Sequence, residues 1–209
     1  MAGATGLVGR EILGALLADR HCTAVHCVGR RPLALQNPKL RSHVVDFAAL
    51  KRLPRTDDVY IALGTTIKVA GSQAAFRAVD FEAVVAVASA ARSSGATHLG
   101  VVSAMGADPA SRIFYNRVKG EMEQAVRGLG YTSVVFARPS LLVGDRDNLN
   151  QAPRAAEKIS QAVMGLLRPV IPANLRAIAA TDVALSLIEA VHTRKPGVQV
   201  LLSGALQRR

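Results

Sequence analysis

The first apolar positions recur with a helical period. Val8, Ile12, Leu13, Leu16 and Leu17 line one face of a predicted helix over Leu7–Leu17, directly after a glycine-rich start. Runs of strand character follow at Thr23–Val28, His43–Val45 and Val59–Leu63, each closed by turn or polar residues: Gly29-Arg30-Arg31-Pro32, Asp46 and Gly64-Thr65-Thr66. A long Ala/Val-rich stretch, Ser72–Ser94, reads as helix with Gly95 as its stop. Thereafter strand Thr97–Ser103, helix Ser111–Leu129, strand Tyr131–Ala137, loop Arg138–Asn150, helices at Ala155–Leu167 and Asp182–His192, and strand Val198–Leu202 complete the pattern.

Near-continuous apolar strands that alternate with helices predict an α/β fold. The strands form a parallel sheet covered on both faces, and right-handed crossovers make it a Rossmann-like doubly wound sheet. One domain over residues 1–209 is expected, with 141–195 forming a small substrate-side portion. In such folds ligands sit beyond the carboxyl ends of the strands. A glycine loop of this kind needs a strand immediately before it, and only Met1 and Ala2 precede Gly3. The first strand is therefore expected to be missing or to lie upstream, leaving two strand edges open.

Gly3-Ala4-Thr5-Gly6-Leu7-Val8-Gly9 spaces its glycines three and three. The first permits a tight turn, the second lets a pyrophosphate approach the backbone, and the third lets the helix pack closely on the sheet. The helix N-terminus adds N–H donors and a positive dipole end. A site for NAD would place a carboxylate at the end of the second strand. Here Arg30 and Arg31 stand there instead, and guanidinium groups suit a 2′-phosphate, so NADP(H) is the expected cofactor. Tyr115 and Lys119 lie four residues apart on one helix face, and Ser103 ends a predicted strand at the same sheet edge. A tyrosine needs a neighbouring cation to work as an acid or base near neutrality, which Lys119 is placed to supply; the Ser103 hydroxyl can bond a substrate carbonyl or alcohol.

These residues resemble the short-chain dehydrogenase/reductase superfamily in its atypical branch with the GATGxxG-type loop. Leu63-Gly64-Thr65-Thr66-Ile67-Lys68, Val101–Ala107, Phe114–Glu121 and Ala137-Arg138-Pro139-Ser140 narrow the resemblance. It points to the small NAD(P)H-binding proteins related to the human HIV Tat-interacting oxidoreductase and their bacterial relatives. The resemblance implies cofactor binding by Gly3, Thr5, Gly6, Leu7, Val8, Gly9, Arg30, Arg31, Asp46, Leu63, Gly64, Thr65 and Thr66, with Tyr115, Lys119, Arg138, Pro139 and Ser140 at the nicotinamide end. Ser103, Tyr115 and Lys119 would be the catalytic set. Asp80 stands where many members of the superfamily carry asparagine, which puts a proton relay through that position in question. The loop Gly144–Asn148 and the helix near Val163–Leu167 are expected on the substrate side.

The leading expectation is thus an NADPH-dependent oxidoreductase acting on a small carbonyl or alcohol substrate. Two alternatives stay open: a non-catalytic dinucleotide sensor that reports redox state through a partner protein, and an epimerase-like enzyme using the same triad. A homodimer or a regulatory protein is the macromolecular partner foreseen.

Charge refines this picture. The chain has 26 Lys+Arg against 15 Asp+Glu, a formal net charge of +11, and seven basic residues with a single acid fall between Arg30 and Arg55. Five Phe, three Tyr and no Trp offer little for stacking nucleic-acid bases, so the basic balance points to a phosphorylated dinucleotide rather than a polymer. Cys22, Cys27 and the five histidines lack metal-ligand spacing, and no metal is expected. With no apolar run of spanning length and no signal-like start, a cytoplasmic protein is expected.

Overall fold

A computed structural model describes residues 1–143 and 172–208. The expected substrate-side loop at 144–148 and the helix at 155–167 lie outside the described residues. In chain order the described elements begin with α1 (Leu7–Ala18), β1 (Val25–Gly29), β2 (Leu40–Val44) and β3 (Asp58–Ile61). They continue with α2 (Ile67–Ala70), α3 (Gln73–Arg77), a π-helical turn (Ala78–Glu82), α4 (Ala83–Ser93), β4 (His98–Val102), α5 (Phe114–Arg127) and β5 (Ser133–Arg138). A short parallel pair, β6 (Leu142–Val143) and β7 (Ile178–Ala179), leads to α6 (Ala180–His192), β8 (Gly197–Leu202) and a last turn, α7 (Ser203–Leu206).

All the sheet pairings are parallel: β1 with β2, and β3-β4-β5-β8 in that order. Ala2 joins the two groups. It bridges Val28 of β1 and Ile61 of β3, both in parallel. Ala2 N–H donates to the Tyr60 carbonyl, Ala62 N–H to the Ala2 carbonyl, and Val28 N–H to the Met1 carbonyl, each at 2.9 Å. The two facing edges that were expected to be open are thus satisfied at their carboxyl ends by Met1 and Ala2.

Period-2 alternation divides the core between the two faces. On β5, Val134 and Phe136 face α4 and α5, packing with Val84, Val87, Met122 and Val126. Val135 and Ala137 face the other way, onto α1 and α6, where Ile12, Leu16, Val183 and Leu187 close the layer. A strand buried on both sides has no polar position to spare along its length, so polar chemistry is displaced to the strand ends. Among the described residues no helix is long and apolar enough to cross a membrane.

Three expectations are corrected. β2 begins at Leu40 rather than His43, because its exposed Arg41 and Ser42 hide a strand that is buried only at Leu40. The helix expected over Ser72–Ser94 is capped by Ser72, whose hydroxyl accepts from Ala75 N–H at 3.1 Å, but a π-helical turn interrupts it at Ala78–Glu82. α5 begins at Phe114, three residues after the expected start.

Close backbone approaches fix the first turn. Gly3 has φ +88°, and a Cβ there would sit 2.4 Å from the Ala62 carbonyl oxygen; a Cβ on Gly9 would sit 1.9 Å from the Gly3 oxygen. Gly9→Ala must therefore push α1 off the loop. It is expected to cost about 3 kcal/mol and to lower the melting midpoint by roughly 6–12 °C. A calorimetric midpoint indistinguishable from the parent's would show that α1 is not held this closely.

Candidate functional site

The carboxyl ends of the central strands open onto one cleft of about 1970 Å³, well beyond the roughly 300–1000 Å³ of a compact ligand pocket. Its wall brings together Gly3, Thr5, Gly6, Leu7, Val8, Arg30, Arg31, Asp46, Leu63, Gly64, Thr65, Thr66, Ser103, Tyr115 and Lys119. Gly9 lies outside the wall: it serves the packing of α1 against Gly3.

Gly6 caps α1 in an extended conformation, so the first N–H groups of this 12-residue helix and its positive dipole end face the cleft. Arg30 and Arg31, just beyond β1, are exposed and make no ion pair with a described residue. Asp46, at the end of β2, spends one carboxylate oxygen on Ala48 N–H at 3.0 Å, capping the short 3₁₀ turn Phe47–Ala49. The loop after β3 carries Thr66, whose hydroxyl accepts from Val69 N–H at 3.2 Å and starts α2. These residues suit a dinucleotide: bare N–H groups for a pyrophosphate, a glycine loop that leaves room for it, and cations at the adenosine end.

At the opposite end Tyr115 packs its ring against buried Phe76, with centroids 5.4 Å apart and planes tilted by 45°. Lys119 Nζ lies 2.7 Å from Asp80 Oδ1, and both side chains are buried, with residue exposures of 3% and 0%. The other Asp80 oxygen accepts from Thr65 N–H at 2.9 Å. Burial raises the proton affinity of the Tyr115 phenol above the ordinary tyrosine value; the Lys119 charge opposes this and the Asp80 charge adds to it.

Ser103 departs from its expected role as a donor to substrate. Its hydroxyl donates to Glu123 Oε1 at 2.7 Å, so its hydrogen points into the protein. Glu123, 2% exposed, also takes a fork from Arg138, with Nε to Oε1 at 2.9 Å and Nη2 to Oε2 at 2.7 Å. That bidentate bond holds Arg138 charged and removes it from the cleft wall. Pro139 and Ser140 do not line the cleft either. The Pro139 carbonyl accepts from Met105 N–H at 3.0 Å, and the Ser140 hydroxyl donates to the Arg176 carbonyl beside Ser203. The segment Arg138-Pro139-Ser140, expected at the nicotinamide end, is not part of the cleft wall and is bonded to Glu123, Met105 and Arg176. Sequence reasoning gave Glu123 no role; a carboxylate four residues after Lys119 on the same helix stripe was the available signal.

Comparison with known proteins agrees with this geometry. Residues 3–164 match the model of a family described as NAD(P)H-binding. Curated relatives include the protein fmp52, mitochondrial, of Emericella nidulans, 32% identical over 81% of this chain and 76% of that protein. The protein of the same name from Aspergillus fumigatus is 35% identical over 79% of this chain and 74% of its own. Among solved structures, MoeE5 in complex with UDP-glucose and NAD superposes with a TM-score of 0.69 at 19% identity, covering 96% of this chain and 73% of that one. The fungal, mitochondrial names of these relatives overturn the expectation of a cytoplasmic protein of bacterial kind. A match over most of the length, on a glycine-led cleft at the carboxyl ends of a doubly wound parallel sheet, means that the chain belongs to the NAD(P)H-binding family.

Proposed function

We propose that the protein is an NADPH-dependent oxidoreductase that reduces a carbonyl, with Tyr115 as the proton donor. The observation that carries this reading is the placement of Tyr115 and Lys119, one helical turn apart on α5, on the wall of the same cleft that the glycine loop opens. When bound, NADPH supplies a hydride for the carbonyl carbon and is itself oxidised.

The residues of the chain divide the remaining work. The Gly3–Gly9 loop and the N-terminus of α1 would hold the pyrophosphate, and Arg30 and Arg31 would bind the 2′-phosphate. Asp46 would lie at the adenosine end, and Leu63-Gly64-Thr65-Thr66 would flank the middle of the cofactor; all five line the cleft. Lys119 holds the nicotinamide ribose. As the carbonyl carbon gains its hydride, its oxygen takes the Tyr115 proton, and the phenolate regains a proton from water. Ser103, with its hydrogen committed to Glu123, presents only oxygen lone pairs to the cleft, so proton donation rests on Tyr115. The resemblance to the Tat-interacting-protein-like branch supports the same assignment.

The commitment of Ser103 also favours a second reading: a dinucleotide sensor that binds the cofactor and reports its redox state to a partner protein. Nicotinamide fluorescence separates the two. If bound NADPH is never oxidised across a broad carbonyl panel, the sensor reading stands and the reductase reading falls.

Tyr115→Phe is expected to lower turnover by roughly 100-fold or more, the scale of general acid catalysis, while NADPH affinity stays within about twofold. Equal turnover by parent and variant would remove Tyr115 from the chemistry. Arg30→Ala combined with Arg31→Ala should weaken NADPH binding by roughly 10- to 100-fold and leave NADH nearly unchanged. Titrating both cofactors against both proteins checks this, and equal losses would refute the 2′-phosphate assignment.

A further inference from the structure

Asp80 lines this end of the cleft from a segment that departs from regular helix. The segment from Ser72 to Ser93 would run as a single α-helix but for the π-helical turn at Ala78–Glu82, which places Asp80 among buried neighbours. Such turns insert one residue at a cost in regularity and concentrate at functional sites. The carboxylate so placed reaches two elements at once. It forms an ion pair with Lys119 on α5 at 2.7 Å and accepts from the backbone N–H of Thr65, in the loop after β3, at 2.9 Å.

We propose that Asp80 is a positioning residue that offsets the charge of Lys119, one helical turn from Tyr115, so that the phenol keeps its proton and is ready to act as the donor when a carbonyl is reduced. This rests on the reading of Tyr115 as the acid.

The argument is electrostatic. A lone ammonium beneath a phenol stabilises the phenolate and makes the group a base. An ammonium with a carboxylate 2.7 Å away presents a dipole, whose field at the phenol is far weaker than that of a bare charge. The other groups packed near Tyr115 do not restore the imbalance. Phe76 on α3, which packs against the ring, is apolar, and the residue after it, Arg77, is paired with Glu121 on α5 in a partly exposed bridge. Burial of the ring then outweighs what remains of the Lys119 charge and favours the protonated phenol, in keeping with the raised proton affinity of Tyr115. Neutral asparagine at position 80 would keep the contact with Thr65 and leave the Lys119 charge uncancelled. The carboxylate therefore adds to the proton affinity of Tyr115, over and above holding the loop.

Phenolate absorbance of the cofactor-free protein tests this without a substrate. The protein has three tyrosines, and burial pushes Tyr60 and Tyr131 to ionise at higher pH than an ordinary tyrosine. Subtracting the trace of Tyr115→Phe isolates Tyr115. In Asp80→Asn the Tyr115 phenol is expected to ionise about one pH unit or more below the parent. An unchanged midpoint in the folded variant would reduce Asp80 to a structural contact. Asp80→Asn combined with Lys119→Gln removes both charges and answers the question even if the single variant does not fold. Its phenol should titrate within a few tenths of a pH unit of the parent, by the same cancellation. A clear rise would mean that Lys119 acts unopposed in the parent, and would overturn the proposal. Loss of this effect leaves the turnover test of Tyr115→Phe untouched, so the two readings fail separately.

Discussion

Ala2 is the constraint on which the rest of the molecule depends. It is fully buried, and its peptide groups bond to β3 while the Met1 carbonyl bonds to β1, so a single residue joins the two halves of the sheet. From that point the chain must leave the sheet at once. Gly3 makes the turn with a positive φ against the Ala62 carbonyl, and α1 then packs so closely on Gly3 that position 9 has no room for a side chain. The direction of α1, and with it the N–H groups aimed into the cleft, follows from these contacts. A side chain at either glycine would move the pyrophosphate end of the site before it moved anything else.

The opposite end of the cleft is organised by charge inside the protein. Tyr115, Lys119 and Glu123 form one stripe along α5 at four-residue spacing. Lys119 is matched by Asp80 from the helical segment that follows β3, and Glu123 by Arg138 at the end of β5. α5 is thus keyed by opposite charges to its neighbours on both sides. Buried ion pairs are poor sources of net stability, because desolvation offsets most of their attraction, but a half-broken pair costs several kcal/mol. They therefore fix register. A shift of α5 by one turn would set Lys119 against Arg138 in one direction, or Glu123 against Asp80 in the other. The close seat of Gly120, where a Cβ would meet the backbone of Asp108 and Pro109 at 2.2 Å, opposes the same shift by sterics.

What was legible in the sequence is what depends on neighbours along the chain. The glycine spacing, the apolar strands and the Tyr115/Lys119 pair are local patterns, and the structure places them on one cleft wall. What was not legible depends on partners far away in sequence. Ser103 gives its hydrogen to a residue 20 positions on, and Arg138 is withdrawn from the cleft by one 15 positions back. An arginine or serine at a strand end looks available to a ligand until the buried acid that claims it is known. The π-helical turn is invisible for a related reason: alanine and valine fit a π turn and an α turn alike, and the tertiary demand to bring Asp80 to Lys119 decides between them. Cellular location is further still from the pattern, since no feature of a cofactor-binding core depends on the compartment that holds it.

The basic residues separate by burial into two populations with different physics. Lys119 is buried and Arg138 partly buried; both are already matched to carboxylates and shape the site through fixed geometry. Arg30 and Arg31 stand exposed at the rim without carboxylate partners among the described residues. Exposed charges are cheap to maintain and weak as internal contacts, because solvent screens them. Their influence is on what approaches: a local excess of base draws in a polyanion and speeds its capture, more strongly at low salt. A formal charge of +11 is therefore not one property of this chain. The buried share holds helices in register, and the exposed share places Arg30 and Arg31 on the wall of the cleft.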